Sequence, residues 1–186
     1  MSTLNEYLSQ KREAVLERRA KVAAGTTSPL PLRAEVKAEG RSGIRHIRIR
    51  EHHVLSDSPY DFAGYNLGPS SPELQLGVLG SCLTHIFLIQ ASVAGIPLEE
   101  LSVEVTGEID PRGGVPGHED VPVYPQNIGY TVQVRSSASP TALAELHQVV
   151  ERVCPILNLL VNPQQISGRL ILLDPATGAV AVNHTV

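Results

Sequence analysis

Between Glu73 and Glu99 the chain carries no formal charge, and that run constrains the fold more than any other feature. The stretch from Ser70 to Gly95 reads as one long helix. Ser70 and Glu73 have the spacing of a capping box, Pro72 suits a first turn, and Gly95 followed by Pro97 closes the far end. Leu74, Leu76, Val78, Leu79, Leu83, Ile86, Phe87, Leu88 and Ile89 fall all around the axis, the pattern of a helix enclosed on every side. One thiol, Cys82, lies at its middle. The length also suits a transmembrane span. Gln75, Ser81, Thr84, His85 and Gln90 interrupt it, however, and no basic cluster flanks it, so the expectation is a core helix and no membrane. Taken alone, Cys82 is equally readable as a small buried hydrophobe and Glu73 as a plain helix cap.

A chain of 186 residues with 42% hydrophobic side chains can bury one substantial core. Its net charge of −4, with no basic block, gives nucleic acid no electrostatic footprint. The first residues are charged and helical, unlike the apolar core of a secretory signal. Two cysteines suggest a reducing compartment, the cytoplasm by default, where a disulfide is transient chemistry.

Residues 1–24 form a helical extension. Leu8, Val15 and Val22 recur every seven residues among charged neighbours, which suits a helix lying on a partner or on its own domain, or one left solvated and frayed. Residues 25–31 (G-T-T-S-P-L-P) are a linker, and 32–186 the domain proper. Leu32 to Glu39 and Ile44 to Ile49 alternate as strands, joined by a hairpin turn at G-R-S-G, residues 40–43. Asp57 to Pro69 is a loop. After the central helix come strands at Leu101–Ile109 and Ile128–Arg135, separated by a long Gly/Pro-rich excursion. Ser139 and Pro140 open a helix with Leu143, Leu146, Val149 and Val150 on one side. A short apolar helix or turn, a strand at Ile166–Leu173 and a loose hairpin or tail complete an α+β order.

The second thiol, Cys154, immediately precedes Pro155, where a helix can start anew. Amide N–H groups at a helix start favour a thiolate. Only folding can bring Cys82 and Cys154 together, and spacing alone leaves two unrelated buried cysteines as the plainer reading. A metal is the other option: Cys82 and His85 share a helix face, and His52, His53, His118 and Glu119 are further donors. No C-x-x-C or H-x-x-x-H motif completes a closed set, so no metal or other cofactor is expected.

The strings S-P-E-L-Q-L-G-V-L-G-S-C-L, A-G-I-P-L-E-E-L-S-V-E-V-T-G-E-I-D and V-E-R-V-C-P-I resemble the OsmC/Ohr family, the osmotically inducible and organic hydroperoxide resistance proteins. The resemblance runs from about residue 33 to 173, with both cysteines in order. It implies an OsmC-like fold, antiparallel sheets wrapped around long central helices in an intertwined homodimer with active sites at the interface. It further implies a thiol peroxidase acting on organic hydroperoxides. Cys82 matches the peroxidatic cysteine, Cys154 the resolving one, Arg41 the arginine that stabilises the thiolate, and Glu73 the glutamate that positions that arginine. The implied partners are an organic hydroperoxide and a dithiol reductant of lipoyl type.

The chemistry is coherent. Burial raises a thiol's pKa, and a guanidinium keeps its charge when desolvated and can offset that effect. A carboxylate in turn holds a guanidinium in place through paired hydrogen bonds. One departure stands out. Glu73 lies one residue closer to the cysteine than the glutamate of the better-characterised members, and one helical step turns a side chain by about 100°. Glu73 is then either cap or positioning group, and Arg33 and Arg45 rival Arg41. A non-catalytic protein binding an apolar ligand is the alternative function.

Overall fold

The computed structural model describes residues 3–185. In it the uncharged run forms one helix, with Ser70 as N-cap and Gly95 closing the C-terminus at φ 69°, where its N–H donates to the Ala91 carbonyl. The order is α1 (Leu4–Ala23), β1 (Glu35–Glu39), β2 (Ile44–Ile49), β3 (His52–Ser56), a short 3-10 turn (Tyr60–Phe62), α2 (Ser71–Ala94), β4 (Glu100–Glu108), β5 (Gln126–Arg135), α3 (Pro140–Val153), α4 (Pro155–Val161), β6 (Arg169–Leu173) and β7 (Val180–Thr185). The α+β class holds. The second strand has the expected bounds, β3 is additional to the sequence reading, and the C-terminus, expected as a loose hairpin or tail, forms a hairpin of β6 and β7.

One face of α2 is fully buried. Leu79, Leu83, Ile86, Phe87 and Ala91 recur every three to four residues and pack with Leu98, Leu146, Val150 and Cys154. The expected all-round enclosure is therefore not what a single chain provides: Val78, on the opposite side, is 47% exposed. The reason is supply. Within the chain α2 meets α1, β4, α3 and α4, and those elements cover only one side of it. By length and composition α2 could cross a membrane, yet its apolar stripe forms the centre of the core.

Helix α1 folds back onto its own domain. Thr3 and Glu6 make a reciprocal capping box, Thr3 N–H to Glu6 Oε2 at 2.8 Å and Glu6 N–H to Thr3 Oγ1 at 3.3 Å. Three groups then dock the helix: Leu8 is buried, Asn5 Oδ1 accepts from Leu98 N–H at 2.8 Å, and Arg12 donates to the Val93 carbonyl at 3.1 Å. That carbonyl lies in the last turn of α2, where no intrahelical donor remains and a cation is favoured. The seven-residue stripe buries only its first member; Val22 is 57% exposed.

Strands β1, β2 and β3 form one antiparallel sheet, β4 and β5 a long ribbon, and β6 and β7 a hairpin. The ribbon lies against α2. Gly80 permits a close approach there, since a Cβ at that position would stand 3.2 Å from Val105 Cγ2. Among the described residues, neither the first sheet nor the last hairpin packs extensively on the central helix. Both leave apolar side chains open, among them Val36, Leu170 and Leu172.

Candidate active site

The two thiols meet. Cys82 comes from the middle of α2 and Cys154 from the joint between α3 and α4, and their Sγ atoms are 3.5 Å apart. That is well beyond the roughly 2.05 Å of a disulfide, so the pair is a contacting dithiol. Cys154 is fully buried, whereas Cys82 is partly open.

Local sequence makes the joint. Pro155 forbids a continuous helix, and Cys154 takes an extended backbone (φ −71°, ψ 113°) that caps α3 and starts α4. Asn158 fastens it: its Nδ2 donates to the carbonyls of Cys154 at 2.8 Å and Glu151 at 3.1 Å. A second tie holds α3 to β5. Tyr130 Oη donates to Glu151 Oε1 at 2.6 Å and lies 2.9 Å from His147 Nε2, whose ring stacks on Phe87. Burial and the Glu151 carboxylate push the Tyr130 phenol far above its ordinary pKa, so it stays a hydrogen-bond donor. Neither Asn158 nor this trio was singled out from sequence. An amide four residues past Cys154, inside an otherwise apolar turn, was the available signal.

Burial raises the pKa of Cys82 above that of an ordinary thiol, and contact with Cys154 adds to the rise; a hydrogen bond from the Ile156 N–H opposes it. No cation acts on Cys82 among the described residues of this chain.

Arg41 and Glu73 lie elsewhere. Arg41 occupies the exposed β1–β2 turn, flanked by Gly40 (φ 55°) and Gly43 (φ 69°), and has no hydrogen-bonded or ionic partner among the described residues. Glu73 completes the helix start, its Oε2 accepting from Ser70 N–H and Oγ–H at 2.7 Å each, which holds the carboxyl below its ordinary range. Nine residues of helix separate it from Cys82, about 14 Å along the axis. Arg45 is committed to the loop before α2. It donates to Ser56 Oγ at 3.0 Å, to the Asp57 carbonyl at 2.8 Å and to Ser58 Oγ at 3.1 Å. Buried Asp57 accepts N–H bonds from Ser58, Tyr65 and Leu67, which lower its pKa and set the path of the loop. This knot, also unforeseen, borders a cleft of about 550 Å³ whose apolar wall includes Phe62, Leu76 and Ile109.

His85 lies one turn beyond Cys82, its pKa lowered by desolvation and by the Lys11 ammonium. Among the described residues no three His, Cys, Asp or Glu side chains converge as a metal site would require. The arrangement can instead do thiol chemistry: one half-open sulfur able to meet a small oxidant, and one buried sulfur in contact behind it.

The sequence profile of the OsmC-like protein family matches residues 64–167, which include both cysteines and Glu73. Among curated proteins none matches the sequence. Solved structures share the fold at low identity. The OsmC-like protein from Mycoplasma pneumoniae is 17% identical with a TM-score of 0.62, over 73% of this chain and 90% of its own. An OsmC-like protein of unknown function from Vibrio cholerae is 14% identical with a TM-score of 0.54, over 70% and 93%. An organic hydroperoxide resistance protein from Legionella pneumophila is 17% identical with a TM-score of 0.51, over 72% and 91%.

Proposed function

This chain belongs to the OsmC-like protein family, and on that premise we propose that it is a thiol peroxidase reducing organic hydroperoxides through Cys82 and Cys154. The observation that carries the reading is the 3.5 Å contact between two unbonded sulfurs, one partly open and one buried. The Cys82 thiolate attacks the O–O bond of ROOH. The bond breaks, sulfur gains the outer oxygen as a sulfenic acid, and the alkoxide takes a proton to leave as ROH. Cys154 sulfur then displaces that hydroxyl as water, forming the Cys82–Cys154 disulfide. An external dithiol, of lipoyl type by family resemblance, passes two electrons and two protons back to the pair.

The thiolate needs a cation that Cys82 lacks among the described residues of its own chain. We assign it to Arg41 of a second copy in an intertwined homodimer. Two observations support this: Arg41 is exposed at a turn without an ionic partner among the described residues, and the sheet that carries it leaves an apolar face open. The resemblance pairs Glu73 with that guanidinium; from its place about 14 Å along α2 from Cys82 it would act by holding the helix start and not by touching the thiolate's cation. Apolar walls favour alkyl hydroperoxides over hydrogen peroxide, at about 25 cal/mol per Å² of alkyl surface buried. A reducing compartment such as the cytoplasm suits a dithiol that must be recycled.

The test is turnover. Purified protein should consume an alkyl hydroperoxide in the presence of a dithiol, and Cys82→Ser should remove that activity. A serine variant that keeps its rate would overturn the assignment. An aliphatic ligand co-purifying with redox-inert protein would favour the apolar-binding reading, with the 550 Å³ cleft as its site.

A further inference from the structure

We propose that the cleft between α1 and α2 is a subsite for the carboxylate end of an aliphatic molecule that reaches the dithiol; the assignment rests on the peroxidase reading for its role and on the cleft itself for its chemistry. The cleft has a volume of about 870 Å³. From α1 it is lined by Lys11, Arg18 and Lys21, which helical spacing places on one face. Lys21 is engaged with Glu17 at 2.6 Å, and Glu17 is the one carboxylate in the lining. Lys11 and Arg18 have no ionic partner among the described residues; the Lys11 ammonium rests 5.6 Å from the Tyr7 ring centroid.

The opposite wall is the uncharged helix α2, through His85, Ile86 and Ile89, and Pro155 also lines the cleft. This wall runs beside the dithiol. His85 follows Cys82 by three residues, and Pro155 adjoins Cys154. Cations with no carboxylate opposite them, above an aliphatic floor, match a molecule with an anionic head and an alkyl body. An ammonium and a guanidinium bind a carboxylate head, and Ile89 with the open edge of Ile86 covers alkyl chain. Every lysine and arginine in the lining lies on α1. The subsite contributes binding and orientation and adds no covalent step.

Two molecules visiting the dithiol can bear such a carboxylate, the hydroperoxide and the reductant. Redox-inert probes test the site first. Binding of octanoate and of methyl octanoate to the full chain is compared by isothermal titration calorimetry at low ionic strength. Octanoate should bind about fivefold more tightly, the worth of one well-made exposed ion pair. The double variant Lys11→Gln, Arg18→Gln should erase that preference, and Lys11→Arg with Arg18→Lys should keep it. Equal affinities, or a preference that survives the glutamines, would overturn the subsite. This result stands whether or not the protein turns over peroxide, so loss of the peroxidase reading is a separate outcome. Ratios of kcat/KM then identify the visitor. A preference for a hydroperoxy acid over its methyl ester assigns the substrate, and one for dihydrolipoate over dihydrolipoamide the reductant. A preference in neither would overturn the subsite's part in the reaction.

Discussion

Cys82 Sγ and Cys154 Sγ are 3.5 Å apart although 72 residues separate them in the chain. The contact exists because Pro155 breaks a helix at the point where α3 passes the middle of α2, leaving Cys154 at the joint. A closing movement of about 1.5 Å would make the disulfide. The resting structure therefore holds the reduced state without demanding a large rearrangement on oxidation.

The cation that Cys82 lacks among the described residues of its own chain yields a prediction about pH. Arg41→Ala should lower kcat/KM for an alkyl hydroperoxide by about a hundredfold, the usual scale for removing one charge-stabilising group. Burial then acts on Cys82 unopposed by a guanidinium. The inflection of alkylation rate against pH should move up, above that of a free thiol, the direction that desolvation gives in the single chain. In that variant the neutral thiol is favoured by the fold. Its contribution to stability is complete below the unfolded thiol's pKa and fades as pH rises through the folded one. An unmoved inflection would redirect attention to Arg33.

Mixed oligomers test where the arginine comes from. Co-refolding Cys82→Ser with Arg41→Ala should restore part of the activity that each lacks alone, because one hybrid site receives both wild-type groups. No recovery, from hybrids shown to form, would place the arginine and thiol in the same chain.

Asp57 gives an acid-side prediction. Its carboxylate accepts three backbone N–H bonds and sits beside Arg45, so its pKa is lowered on folding. Its stabilisation is present above the ordinary carboxylate range and lost as pH falls through the folded value. Asp57→Asn should lower Tm by about 5 °C or more at neutral pH and flatten the acid limb of the stability curve. Limited proteolysis should find new cleavage in the loop from Ser58 to Pro69. A Tm that follows the wild type at every pH would contradict this role.

Packing at Gly80 is graded by size. Alanine gains about 1 kcal/mol of helix propensity and meets Val105 Cγ2 at 3.2 Å, so the net change should stay under about 1 kcal/mol. Leucine should force β4 away from α2, cost about 2–3 kcal/mol and slow turnover through displacement of Cys82. Urea denaturation beside steady-state kinetics measures both effects.

Much of this architecture was legible in the residues. The capping box at Ser70 and Glu73, the stop at Gly95 and the break at Pro155 are local signals, and each lies where local chemistry put it. The hairpin turn at 40–43 likewise needed only its two glycines. What escaped was non-local. The Arg45–Asp57 knot joins a strand to a loop through backbone N–H groups that no side-chain pattern announces. The Tyr130–Glu151–His147 cluster depends on how α3 crosses β5. Hydrophobicity records what a helix must hide and not which chain covers it, so the residues of α2 predict an enclosure that one chain does not supply. The same ambiguity governed α1, where the docking groups Asn5 and Arg12 are polar and lie off the apolar stripe.

The most direct measurement is the mass of the protein after one equivalent of an organic hydroperoxide, followed by non-reducing peptide mapping. A loss of two hydrogens per chain and a single cross-linked peptide joining Cys82 to Cys154 are expected. A chain that instead links covalently to a second copy, or gains oxygen at Cys82 with Cys154 still free, would contradict it.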